Sequence, residues 1–459
     1  MACHVSRFDG SLTVSDRNAF GAAGRQVAAL LLGVSLAFLS ACGEAGQTTD
    51  VSAEASHASA GDVCVSDEVS AVKVVSTEGD DVAEDVAGSV SNENTGSIKD
   101  PEDFVIALNL QSQGRGSVAA RIAGDVSVRS TAQDALAKAV GVFMREGTEG
   151  EGTRIAAEVA EDVFVQATGP SRGISAIGFN RGSDFSANVG GKVRVRSKGV
   201  APAGVYDAVG VESQAAEGGS STVSVGGGIE VSDEREDTGV YGIETYGDTD
   251  SETSVHIAGG ISATGGGEVV GARLSCRSAT TTLDVDGDVL ARSGVGDAYG
   301  AVLEARDGAE IELVVTGSVE GDASALMFQG DGTGTYDVCV YKAVCEEGGN
   351  LFSLSELSDE SLDEIASSVG YLIRVRQPEV GGSVRLVDGE GNELETRFGQ
   401  PVAHAGDKVY VEVDLEEGYR VGGVFVGEDD IEELASDEGG NYLIVPEGGG
   451  VTVSVSLEG

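Results

Sequence analysis

Between residues 104 and 345 short runs of alternating aliphatic and polar positions return again and again, each opened by a turn. One motif is a glycine, a small or charged residue, and then two aliphatics around a single other position. It reads Gly124-Asp125-Val126-Ser127-Val128, Asp162-Val163-Phe164-Val165, Gly191-Lys192-Val193-Arg194-Val195 and Gly228-Ile229-Glu230-Val231. Later copies are Gly260-Ile261-Ser262-Ala263, Gly287-Asp288-Val289-Leu290-Ala291 and Gly317-Ser318-Val319. The anchors Val126, Val163, Val193, Ile229, Ile261, Val289 and Val319 lie 28 to 37 residues apart.

Two further strand signals fall between successive anchors. One sets glycine among aliphatics, as in Val140-Gly141-Val142, Ile177-Gly178-Phe179, Val209-Gly210-Val211, Gly242-Ile243, Val270-Gly271-Ala272 and Tyr299-Gly300-Ala301. The other precedes the glycine turn, as in Val223-Ser224-Val225, Val255-His256-Ile257, Leu283-Asp284-Val285 and Leu313-Val314-Val315. Alternation with a period of two marks half-buried strands. Three such strands in about 30 residues are too few for a free-standing domain but suffice for one coil of a stack. The expectation is an all-β chain: a three-sided parallel β-helix of about seven coils over residues 104–345, roughly 34 Å long at the usual strand spacing.

The flanks read differently. Residues 27–39 (VAALLLGVSLAFL) follow Arg17 and Arg25 and end in small residues, the pattern of an export signal over residues 1–41. Residues 42–103 are expected to form an acidic, extended tether. From Glu44 to Asp103 there are 15 acidic and 2 basic residues and no Phe, Tyr or Trp, too little apolar surface to offset the entropy of ordering. Residues 69–75 (VSAVKVV) could still dock as a strand. Residues 346–370 are expected to contain a short helix around Ser358–Ile365 covering the open end of the coil. Residues 371–459 are expected to form a small β-sandwich-like domain, with strands at 371–376, 383–387, 408–415, 419–426, 441–445 and 451–457.

Three stretches resemble known families. Leu39-Ser40-Ala41-Cys42 resembles the bacterial lipobox, which implies lipidation of Cys42 and anchorage at the outer face of the plasma membrane; plain signal cleavage at Ala41 is the alternative. The glycine-spaced repeats resemble the right-handed parallel β-helices of bacterial surface proteins and adhesins. Gly406-Asp407-Lys408-Val409-Tyr410-Val411-Glu412-Val413, Gly418-Tyr419 and Val451-Thr452-Val453-Ser454-Val455 look like the divergent internalin B-repeat domain. That resemblance implies a stalk or adhesion module without catalytic residues; another small Ig-like sandwich is the alternative.

Charge narrows the range of partners. A net charge of −48 repels nucleic acid and anionic headgroups, so the expected partner is an extracellular protein or glycan, with the membrane reached only through a lipid anchor. Lys192, Arg194, Arg196 and Lys198 alternate along one strand and share an outward face. They are either a strip for an anionic polymer or partners of Asp162 and Glu230 on neighbouring coils. Asp248-Thr249-Asp250-Ser251-Glu252 and Gly330-Asp331-Gly332-Thr333-Gly334 are candidate calcium loops, with solvated turns as the alternative. His256 reads as a solvent-facing strand residue. No C-x-x-C pair, nucleophile elbow or phosphate loop occurs, and no cofactor is implied. Cys339 and Cys345 lie about 20 Å apart if one extended strand carries both, too far to bond. The leading expectation is a non-catalytic, adhesin-like surface protein. The alternatives are a β-helix polysaccharide lyase or hydrolase, which needs paired carboxylates in a groove, and a calcium-dependent binding module.

Overall fold

A computed structural model describes residues 63–459 apart from 67–69, 77–79, 97–103, 132–137, 148–151, 199–206, 237, 347–348 and 428–431. The signal segment and Cys42 lie outside the described residues. The described chain is a parallel β-solenoid followed by a small β domain.

Each coil contributes three strands. The first face is a ten-stranded parallel sheet running from Ser70–Ser76 to Asn350–Ser355. The second face includes Ser117–Ile122, Arg154–Val159 and Asp184–Val189, and the third includes Val126–Ser130, Val163–Ala167 and Val193–Ser197. All seven anchors stack in register, Val126 on Val163, then Val193, Ile229, Ile261, Val289 and Val319. All seven are buried, because each fills the narrow interior beneath the anchor of the next coil.

The stack is longer than the seven expected coils. Val90 pairs with Val126 ahead of the first anchor, and Ala343 pairs with Val319 beyond the last. The tether boundary is therefore corrected: Ser70–Ser76, Val82–Val86 and Val90–Asn94 lie within residues 42–103 and pair with the coil that follows. Asp85 and Glu93 point outward while Val74, Val86 and Val90 are buried, so average composition concealed a strand pattern.

A second correction concerns the first face. The glycine aligned with Gly141 is Gly173, not Gly178, since Val140 pairs with Arg172 and Val142 with Ile174. The column Gly141, Gly173, Gly210, Gly242, Gly271 and Gly300 lies directly against the anchors. A Cβ on Gly210 would stand 2.4 Å from Ile229 Cγ2 and 2.5 Å from the Gly242 carbonyl oxygen. Two faces approach so closely here that only hydrogen fits.

The helix α1 (Asp359–Ser368) forms where expected and lies against the last strands of the solenoid. Gly370–Leu372 then continues the second face by pairing with Cys339 and Val340, so the end domain is joined to the coil by a shared sheet. That domain has two four-stranded sheets, largely antiparallel. Cys339 and Cys345 sit on one strand, Thr335–Cys345, as free thiols. No helix among the described residues is long and apolar enough to cross a membrane.

Candidate functional site

Strand alternation shifts at each glycine of the first face. As a result the residue before the glycine, and those two and four after it, lie outside the main core. Val209, Tyr241, Val270 and Val302 form a separate buried cluster there, joined by Tyr299 and Met327. Ile106, Val140 and Phe143 form another, with Phe104 and Ile177. The rings of Phe104, Phe143, Tyr241 and Tyr299 thus gather on the outer side of one sheet. Tyr246, on the same strand as Tyr241, is 41% exposed.

Among these rings runs a line of charge. Register places Ser175 beside Glu212, Glu212 beside Glu244, and Glu244 beside Arg273. Ser175 Oγ donates to Glu212 Oε2 at 2.7 Å, and Arg172 Nε lies 3.4 Å from the same oxygen. Arg172 also donates through Nη1 to the Asp207 carbonyl at 2.8 Å. At the other end Arg273 Nη2 meets Glu268 Oε1 at 3.2 Å, and the Tyr241 hydroxyl donates to that oxygen at 3.2 Å. The Arg273 guanidinium lies 5.0 Å from the Tyr241 ring centre.

Burial dominates the electrostatics of the line. It pushes Glu244 up to about 6, and repulsion from Glu212 adds to the effect while Arg172 and Arg273 oppose it. Burial works against the charge on Arg172, but Glu212, Asp207 and Glu244 outweigh it and raise that guanidinium. Burial and the neighbouring Arg172 lower Lys138. Chemically, the face offers ring surfaces, fixed guanidinium donors and two stacked carboxylates, one holding its proton more tightly than an ordinary glutamate.

The candidate cationic strip is elsewhere, on the third face, and three of its four charges are engaged. Lys192 Nζ meets Glu230 at 2.7 Å, Arg194 meets Asp162 at 2.6 Å and Glu230 at 3.4 Å, and Lys198 meets Glu234 at 2.8 Å. Arg196 is exposed beside Gln166 and Ser232. The two candidate calcium loops fall at the same corner, between the first and second faces. Asp331 Oδ1 accepts the Thr333 amide and hydroxyl and Oδ2 accepts the Asp307 amide, which occupies its oxygens in holding the turn. His256 is solvent-facing, beside Asp284. In the end domain a cavity of about 460 Å³ is lined by Ile373, Gln377, Leu386 and Gln400 among others, and the buried Gln400 Oε1 has no hydrogen-bond partner among the described residues.

Sequence reasoning missed Arg172, Glu212, Glu244 and Arg273. A signal existed: Glu212 and Glu244 are each the second residue after a repeat glycine, Gly210 and Gly242, so aligning those glycines brings the carboxylates together. No family model, curated protein or solved structure matches the chain.

Proposed function

We propose that this protein is a non-catalytic binding rod of the adhesin-like kind, exported and held at the cell surface through Cys42. Its first solenoid face takes up an extracellular ligand. One observation carries this reading: on the outer side of a single continuous sheet the exposed Tyr246 and the half-buried Phe104 and Tyr299 share a face with the fixed guanidinium groups of Arg172 and Arg273 and the carboxylates of Glu212 and Glu244. Rings with a polar tip bind partners at low entropic cost, and a stacked sheet holds them at fixed spacing. The high acidity of the remaining surface keeps such a rod soluble and steers cationic partners toward it.

The test is capture on immobilised matrix proteins and glycans by the wild type, by Tyr246→Ala, and by Thr222→Ala on the second face. Retention lost only in Tyr246→Ala supports the reading; equal retention by all three overturns it. A second reading, a polysaccharide-cleaving enzyme, is favoured by the stacking of Glu212 on Glu244, because carboxylates on neighbouring rungs are about 4.8 Å apart in backbone. Two carboxyls on adjacent rungs can divide the work of acid and base, and a carboxyl raised by burial suits a general acid. Release of soluble fragments from a glycan panel, abolished by Glu244→Gln, would replace the binding reading with this one.

A further inference from the structure

Charged side chains on neighbouring rungs of this solenoid mostly alternate in sign. Arg121 stacks on Glu158, Arg154 on Asp184, Arg194 on Glu230 and Asp248 on Arg277. Within strand register, among the described residues, three stacked pairs break that rule: Arg277 with Arg306, Glu312 with Asp337, and Glu212 with Glu244. Like charges placed side by side on a sheet repel, so each pair needs a counter-charge.

Two of the three have one. Arg277 is matched by Asp307 at 2.5 Å, and Arg306 by Glu304 at 2.7 Å and Glu356 at 2.6 Å. Glu312 and Asp337 are spanned by a single guanidinium from the end domain: Arg397 Nη1 lies 2.8 Å from Glu312 and Nη2 lies 2.8 Å from Asp337. The third pair is incomplete. Glu212 has Arg172 and Ser175, but no hydrogen bond or ion pair reaches the Glu244 carboxylate among the described residues. Its two cationic neighbours are committed elsewhere, Arg172 to Glu212 and the Asp207 carbonyl, Arg273 to Glu268 and the Tyr241 ring.

We infer that an arginine of a basic polypeptide partner docks across Glu212 and Glu244, as Arg397 docks across Glu312 and Asp337. A guanidinium fits this role better than an ammonium, because its planar fork presents separate donors to two stacked carboxylates. Tyr246, two residues beyond Glu244 and partly exposed, supplies a ring against which an arriving guanidinium can stack. The inference rests on the reading of this face as the ligand-binding one, and it names the partner as an extended, arginine-bearing polypeptide.

The probe is a ten-residue peptide of alternating threonine and arginine, its lysine counterpart, and a glucosamine hexamer, titrated calorimetrically at physiological ionic strength. The expected result is that Glu244→Gln weakens the arginine peptide roughly tenfold or more, while Glu252→Gln, an exposed acid of the second face, leaves it unchanged. The lysine peptide and the hexamer bind more weakly than the arginine peptide. Glu244→Gln keeps the side-chain size, and a thermal melt verifies its fold. No binding by the wild type, an unchanged Glu244→Gln, an equal loss in Glu252→Gln, or tighter binding of the hexamer would each overturn the inference. Capture of another ligand that falls in Tyr246→Ala but not in Glu244→Gln would reject this partner and leave the binding face standing.

Discussion

Asp162 accepts the backbone N–H of Lys192, one coil further on, through Oδ1 at 2.7 Å. Its other oxygen holds the Arg194 guanidinium, so one carboxylate fixes both a corner and a strand of the next coil. The device repeats along the corner. Asp125 Oδ1 accepts the Asp162 amide, and Asp288 Oδ1 accepts the Ser318 amide. Asp162→Ala should lose a charge-assisted hydrogen bond and an ion pair about one-third exposed, together about 2 kcal/mol. Asp162→Asn, which keeps an acceptor oxygen, should lose about half of that. Urea titration of the two variants checks the order.

The glycine column makes a steric prediction. Gly210→Ala would drive a methyl into Ile229 and into the backbone of Gly242, and the backbone cannot move aside. Overpacking of that kind costs about 3 kcal/mol. Gly218→Ala offers a contrast: nothing stands near its Cβ, and only its positive φ of 76° opposes the change. About 1 kcal/mol is expected there. Thermal unfolding of the two variants separates contact from conformation.

These two sets of residues also show what was legible in the sequence. Anchors such as Val193 and Ile229 alternate with polar neighbours and follow glycine corners, so their period declared a coil and their stacking followed. The ends were harder to read. The Val90 rung sits in an acidic stretch whose outward carboxylates dominate its composition. The Arg172 rung does not match an aliphatic–glycine–aliphatic pattern, because a charged residue stands before Gly173. That substitution is itself part of the site, since Arg172 is there to meet Glu212. Pairing of Glu212 with Glu244 depends on register across rungs 32 residues apart, which no local pattern within either strand reveals.

Glu244 should make stability depend on pH. Its folded-state pKa of about 6 lies above the ordinary 4.5, so the folded chain binds the proton more tightly than the unfolded chain. Its contribution is therefore most favourable below about pH 4.5 and is lost as pH rises through 6. The difference is on the order of 2 kcal/mol. Glu212, Arg172, Arg273 and Asp207 are the charged groups that face it. Glu244→Gln should raise the melting temperature at pH 7.5 and leave it nearly unchanged at pH 4.5. A variant that melts below the wild type at pH 7.5 would contradict the repulsive account of this pair.

Arg397 provides the converse experiment. It draws the end domain onto the solenoid by spanning Glu312 and Asp337, and Glu395 lies 3.2 Å from its Nε. Burial holds the Glu312 carboxyl above its usual range, and Arg397 opposes that rise. In Arg397→Ala the two acids stay stacked with nothing between them. The groups are about one-third exposed, so solvent screens part of the repulsion and the cost at pH 7 should be only about 1–2 kcal/mol. Without the guanidinium the burial that already raises Glu312 acts unopposed, and its folded-state carboxyl moves further above its unfolded value. The lost stability is then regained as pH falls through the raised Glu312 value to below about 4.5, where that carboxyl is protonated in either state. Melting curves of Arg397→Ala from pH 4 to pH 8 should thus reproduce at this seam the pH dependence that Glu244 already gives the wild type. If Glu312→Gln in the Arg397→Ala background fails to restore stability at pH 7, Arg397 acts by packing rather than by bridging the stacked pair.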